Sequence, residues 1–158
     1  MNHESLERAF GSLRCPTPVE LRHALESLTL STDKIAAHIP EPEGLPYGRK
    51  VLYTTPHIEV VLIHLPAQQE SVPHNHGESF GWEWIISGTL TNIIFTSPFE
   101  DDRVRPTQAN NVTAGECCYI APGEIHSIRN NGEMPVISLN VYTPPLRNSK
   151  QYQTAEHT

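Results

Sequence analysis

Gly115-Glu116-Cys117-Cys118-Tyr119-Ile120-Ala121-Pro122-Gly123-Glu124-Ile125-His126-Ser127-Ile128-Arg129-Asn130 is the stretch on which the reading of this chain turns. Two short runs rich in β-formers, 117–120 and 125–129, flank the turn former Pro122-Gly123, the pattern of two strands joined by a turn. His126 opens the second run. Cys117 and Cys118 are neighbours in the first, so their side chains face opposite ways and do not reach one metal together.

Moving outward, the same texture repeats. Residues 51–54, 58–65, 80–86, 89–96 and 136–142 are rich in Val, Ile, Tyr, Phe, Trp and Thr, and Thr55-Pro56, Ser87-Gly88 and Asn130-Asn131-Gly132 separate them. Many short strands with regular turns predict a β-sandwich or barrel. Before residue 40 the texture is different. Thr17-Pro18-Val19-Glu20 reads as a capping box with proline at the first helical position. Leu21, Leu25 and Leu28 follow at helical spacing, and Ser31 or Thr32 is placed to cap a further helix running to residue 39. Two or three short helices are therefore expected ahead of the strands. Pro40-Glu41-Pro42-Glu43-Gly44-Leu45-Pro46 breaks the helical pattern. The expected plan is one domain over 1–158, with a helical preface (1–39), a β-barrel (47–146) and a polar tail (147–158) that extends or frays.

The chain has 158 residues, a formal net charge of −7 and 18% charged residues. That is long enough for a core without disulfides, and the absence of a basic run argues against a nucleic-acid surface. No apolar run is long enough to span a bilayer, and nothing near the N-terminus reads as a signal peptide. The three cysteines, Cys15, Cys117 and Cys118, read as free thiols in a reducing compartment. The expectations are thus a cytoplasmic location, no membrane or nucleic-acid partner, a monomer, and a small molecule as partner.

Three of the nine histidines stand apart. In extended chain, His74 and His76 of His74-Asn75-His76 point to one face about 7 Å apart at the backbone, within reach of a single ion. A third imidazole must come from elsewhere, and His126 is the candidate. Neutral imidazoles suit several transition metals. Gly81 and Gly88 follow the pair, and Gly115, Gly123, His126 and Asn130 follow in turn. This spacing resembles the two motifs of the cupin superfamily, with Ala121 in place of a proline and Gly81 in place of the usual glutamate. Three neutral histidines leave the charge of a divalent ion uncompensated, so such a site favours an anionic ligand such as a thiolate. Glu83, two residues past Gly81 on the same predicted face, is open to two readings: a fourth ligand, or a hydrogen-bond acceptor behind the ligands.

From Tyr47 to Leu146 the chain also resembles the cysteine dioxygenase family of thiol dioxygenases. Tyr47-Gly48-Arg49, Val72-Pro73-His74-Asn75-His76-Gly77 and Ser138-Leu139-Asn140-Val141-Tyr142-Thr143-Pro144-Pro145-Leu146 carry the likeness. The resemblance implies a mainly β, jelly-roll-like cupin barrel, Fe(II) on His74, His76 and His126, and oxidation of L-cysteine to its sulfinate by O2. It implies that Arg49 and Tyr47 hold the substrate carboxylate and that Tyr142 stands beside the reacting atoms. Gly81 excludes the Cys–Tyr crosslink of mammalian members, as in many bacterial ones. The family's Ser-His-Tyr relay reads here as Ser138, Asn140 and Tyr142, and asparagine orients a neighbour but takes up no proton. The alternatives are a dioxygenase for another small thiol or related amino acid, and a non-catalytic cupin that binds a metal or ligand.

Overall fold

The computed structural model describes residues 1–96 and 101–155. Its helices are α1 (His3–Phe10), α2 (Pro18–Glu26) and α3 (Thr32–Ile35), followed by a 3-10 turn, Ala36–His38. The expected capping box forms: Thr17 accepts from the Glu20 amide, and the Glu20 carboxylate accepts from the Thr17 amide. Ser31 is the cap of α3, which passes into the 3-10 turn after one turn of helix.

The strands are β1 (Gly48–Thr54), β2 (Glu59–Leu65), β3 (Phe80–Ser87), β4 (Thr89–Phe95), β5 (Arg103–Val104), β6 (Pro106–Thr113), β7 (Cys117–Ile120), β8 (His126–Arg129), β9 (Val136–Thr143) and β10 (Gln153–Thr154). They form a five-stranded sheet in the order β1-β2-β9-β3-β7, a three-stranded sheet in the order β6-β4-β8, and a parallel β5–β10 pair. The two larger sheets share one apolar cluster, in which Val61, Ile63, Ile85, Ile120 and Val136 of the first meet Leu90, Val112 and Ile128 of the second. Among the described residues no helix is long and apolar enough to cross a membrane.

Strand alternation places the site. Every residue of β9 is buried, but its two faces see different surroundings. Ile137, Leu139 and Val141 pack outward on Leu6, Phe10, Leu21, Leu25 and Ile35 from the helices, each such side chain contributing about 1.5–3 kcal/mol of burial. Ser138, Asn140 and Tyr142 turn inward, as alternation requires. Cross-strand register then sets Gly81 opposite Tyr142 and Glu83 opposite Asn140. The outer face of β3 is fixed to α2 by Trp82, whose indole N–H donates to the Pro18 carbonyl at 2.7 Å.

Two features go beyond the sequence reading. Strand β6 is absent from the sequence reading, because Pro-Thr-Gln-Ala-Asn-Asn-Val-Thr buries only Val112 and so shows no alternation; pairing with β4 makes it a strand. Of the two courses expected for the tail, residues 147–155 take the extended one, ending in β10. The Tyr152 amide donates to the Pro73 carbonyl, the Asn75 amide to the Lys150 carbonyl and the Ala155 amide to the Val104 carbonyl, each at 2.9 Å. These bonds satisfy polar backbone that a free tail would leave to water. Residues 156–158 lie outside the described residues.

Candidate metal centre

The segment before β3 lies antiparallel along β8. Ser71 and Ile128 are joined by a backbone bond of 2.9 Å, and His74 and His126 exchange two of 2.9 Å. That pairing puts the third histidine directly across from the first, and His76 follows on the same face. The rings form a nearly equilateral triangle with centroid separations of 4.9 Å (His74–His76), 4.8 Å (His74–His126) and 4.9 Å (His76–His126). One nitrogen from each lies within 4.8 Å of the others, and among the described residues no Cys, Asp or Glu joins this cluster.

The donor set fits a metal ion. His74 Nδ1 is 2.9 Å from the Val72 carbonyl and His126 Nδ1 is 2.7 Å from Asn92 Oδ1. Nδ1 is thereby the protonated nitrogen in both rings, and Nε2 is left with its lone pair, the arrangement found behind metal-binding imidazoles. His76 stacks on Tyr142 at 4.9 Å and 26°, and its Nδ1 is buried without a hydrogen-bond partner among the described residues. Burial pushes all three rings toward the neutral form. It takes His76 down to about 3, helped by the nearby charges of His74 and Arg49, and it takes His126 well below the usual range. Neutral imidazole is the ligating form.

Gly81 cannot supply the missing carboxylate by simple substitution. A Cβ there would lie 2.0 Å from the Val141 carbonyl oxygen and 3.0 Å from Tyr142 Cδ1, so the β3–β9 pairing itself leaves no room for a side chain. Glu83 lies two residues farther along the same face and is 2% exposed. Burial raises its carboxyl to about 7, against a smaller lowering by Ser138.

The histidines open on a cavity of about 850 Å³, whose wall also includes Tyr47, Arg49, Glu83, Asn140 and Tyr142. Arg49 donates to Glu59 Oε2 at 3.3 Å, and its remaining N–H donors stay available in the fork. Burial raises the Tyr47 phenol, opposed by Arg49. Burial, followed by Glu83, raises Tyr142 far above the usual phenol range, so it is a protonated hydroxyl. The relay differs from the one the sequence suggested. Asn140 Nδ2 donates to Ser138 Oγ at 2.9 Å, and Ser138 donates to Glu83 Oε2 at 3.1 Å. Among the described residues no hydrogen bond joins Asn140 to Tyr142. Ser138 is fully buried and, unlike Glu83 and Asn140, is not part of the cavity lining.

The sequence reading missed Asn92 and the tail. Asn92 was detectable as an amide at an inward position of its strand, two places after the inward-facing Leu90. Ser149, Lys150 and Gln151 form part of the rim, and no local pattern announces them. Asn75 clasps them: its Oδ1 accepts from the Lys150 amide at 3.0 Å and its Nδ2 donates to the Tyr152 hydroxyl at 2.9 Å.

No protein-family model matches the chain. Among solved structures it is similar to an uncharacterized conserved protein with a double-stranded beta-helix domain from Klebsiella pneumoniae subsp. pneumoniae MGH 78578, at 21% identity and a TM-score of 0.58 over 80% of this chain and 97% of that one. It is similar to the cupin domain of Schizosaccharomyces pombe Cnp3, at 14% identity and a TM-score of 0.51 over 61% of this chain and 64% of that one. The fold is a cupin barrel. The cupin likeness extends to the oxalate decarboxylase of Lactobacillus farciminis, at 19% identity and a TM-score of 0.57 over 70% of this chain. There the chain matches only 32% of the decarboxylase. At such identities the likeness concerns the fold alone. Within this cupin barrel, the three histidines occupy the inner wall where the two sheets meet.

Proposed function

We propose that this chain is a thiol dioxygenase of the cysteine dioxygenase type, oxidising L-cysteine to cysteine sulfinate with O2 at Fe(II) held by His74, His76 and His126. The observation that carries this reading is the shared cavity, which sets three neutral imidazoles beside an arginine and a protonated tyrosine. In the overall reaction both atoms of O2 add to sulfur and the thiol becomes a sulfinic acid. The metal, when bound, supplies the dioxygen chemistry and holds the substrate sulfur as thiolate.

The chain's own residues supply position and field. Three neutral ligands leave a divalent ion with its full charge, which favours an anionic sulfur. The Arg49 guanidinium presents a planar fork to a carboxylate, while Glu59 fixes its orientation. Tyr142, stacked on His76, keeps its proton and offers a fixed hydroxyl donor to charge developing beside the metal-binding face. Tyr47 and the tail segment Ser149-Lys150-Gln151 narrow the mouth.

A second reading, another small thiol as substrate, is favoured by one observation. The cavity, at about 850 Å³, lies toward the upper end of the range for small-molecule sites, which leaves room beyond free cysteine. A thiol panel separates the two readings. Purified protein is analysed for metal, loaded with Fe(II), and followed by oxygen uptake and sulfinate formation. Stoichiometric uptake with L-cysteine is the expected result. Uptake only with a bulkier thiol would move the assignment, and no uptake with any thiol would end it.

A further inference from the structure

Beyond the metal ligands, the inner wall of the cavity holds one acidic group that the proposed reaction does not yet use. Glu83 sits on β3 between Asn140 on one side and Cys118 on the other. It is 2% exposed and lines the same cavity as the three histidines. Its two oxygens are treated differently. Oε2 accepts from Ser138, which in turn accepts from Asn140, so the carboxyl is held in one orientation. Oε1 is buried and has no hydrogen-bond partner among the described residues.

A buried carboxyl oxygen without a donor is costly, and native proteins seldom leave one in that state. Among the described residues the barrel supplies it no donor, although Ser138, itself held by Asn140, donates to the other oxygen. The metal cluster does not claim it either, since the convergent nitrogens belong to the three histidines alone among the described residues. The remaining candidate is whatever enters the cavity. Oε1 requires an N–H or O–H donor, and a nearby carboxylate favours a cationic or polarised one. The cavity's other wall carries the opposite specification, because Arg49 calls for an anion. A ligand that meets both has an acidic and an amino group on a short frame.

We propose that Glu83 is a specificity-determining residue that accepts a hydrogen bond from the amino group of the substrate, selecting amino-acid thiols over their deaminated counterparts. The inference rests on the thiol reading above and extends it from the sulfur to the nitrogen. An amine bound to the metal keeps N–H hydrogens, so the two interactions are compatible. Ser138 and Asn140 are then positioning residues, which fix the rotamer of Glu83.

The test is calorimetric titration of the Fe(II)-loaded protein under argon, with L-cysteine and 3-mercaptopropionate as a matched pair. In Glu83→Gln the amide oxygen still accepts while the charge is lost, and in Glu83→Ala both are lost. A charge-assisted bond of the usual strength predicts that the alanine variant binds cysteine about 10- to 100-fold more weakly, with glutamine in between. Binding of 3-mercaptopropionate should change by less than about twofold. Thermal melts accompany each variant, and the glutamine variant, which keeps an acceptor for Ser138, carries the test if alanine unfolds. Equal losses on both thiols, or no loss on either, would overturn the role of Glu83 and leave the thiol assignment standing. If wild-type protein binds neither thiol, the thiol reading falls, and the pair L-serine and 3-hydroxypropionate decides Glu83. A preference for serine that the glutamine variant abolishes would retain the amine contact, and no preference would remove it.

Discussion

The three histidines are held in two different ways. His126 stands on β8, the end strand of the three-stranded sheet, with Asn92 of the adjacent strand β4 bonded to its ring. His74 and His76 stand on a segment with few hydrogen bonds of its own, between β8 on one side and the tail on the other. The first depends on strand pairing and a buried side chain. The second depends on Asn75, on Gly77 and on residues 147–155. Gly77 has φ +62°, and a Cβ there would lie 2.3 Å from the Arg147 carbonyl oxygen, so the segment and the tail approach closely only because residue 77 is glycine. One of the three candidate ligands is thus built into a sheet, and two are held by contacts between segments far apart in sequence.

The sharpest break in this comparison is removal of the sheet-held ligand. His126→Ala leaves two imidazoles, too few for a tight site, and the protein should lose most of its metal while keeping its melting transition. Metal analysis after gel filtration, alongside circular dichroism, checks both halves. Full retention of metal would remove His126 from the site.

The inner wall gives the next largest effect. In metal-free protein, burial raises the Glu83 carboxyl from an ordinary 4.5 to about 7. The folded state then binds more protons than the unfolded state, so stability falls as pH rises through that window and stays low above it. At 1.36 kcal/mol per unit this is about 3 kcal/mol. Glu83→Gln cannot ionise, so it should match wild type near pH 4 and exceed it by about that amount at pH 8. Urea melts in chelator at the two pH values test this, and parallel curves for the two proteins would show that Glu83 is not buried in this way.

The tail and Asn92 can be set against each other directly. Asn92→Ala removes the partner behind His126, and a stop codon after Leu146 removes the support outside His74 and His76. Loss of such supporting contacts commonly costs about 10- to 100-fold in metal affinity. Both variants should fall in that range, and only the truncation should also raise proteolytic cleavage around residues 72–77. A truncated chain with wild-type affinity would show that β8 alone fixes the histidine pair.

How much of this was legible depended on whether the information was local. The capping box of α2 and the apolar strands were readable because propensity, burial and turn chemistry agree there. Ligand spacing on extended chain was readable for His74 and His76, and the resemblance supplied His126. Strand β6 was not, because only its partner gives it a reason to be extended. The tail was missed because its polar residues suit a free end as well as they suit the backbone bonds they make to Pro73 and Asn75. Glu83 was seen but left undecided between ligand and acceptor. In the structure Glu83 stands opposite Asn140 and outside the histidine cluster, and its Oε2 accepts from Ser138.

The smallest expected effect concerns Asn140. The sequence suggests that it orients Tyr142, but its amide is bonded to Ser138, and Tyr142 is positioned by stacking on His76 and by the space at Gly81. Asn140→His therefore alters the surroundings of Glu83 and leaves the tyrosine where it is. Cysteine turnover should change by less than about tenfold, or about 1.4 kcal/mol. Tyr142→Phe removes the hydroxyl beside the metal face and should lower turnover by a similar factor whether residue 140 is asparagine or histidine, as expected of sites that do not share a hydrogen bond. Oxygen uptake by the two single variants and the double variant makes the comparison. Strong coupling between the two changes would restore a direct Asn140–Tyr142 link. A gain in cysteine turnover far above tenfold in Asn140→His would mean that asparagine marks a different substrate, because the altered residue would then be limiting recognition of cysteine and not the placement of the tyrosine.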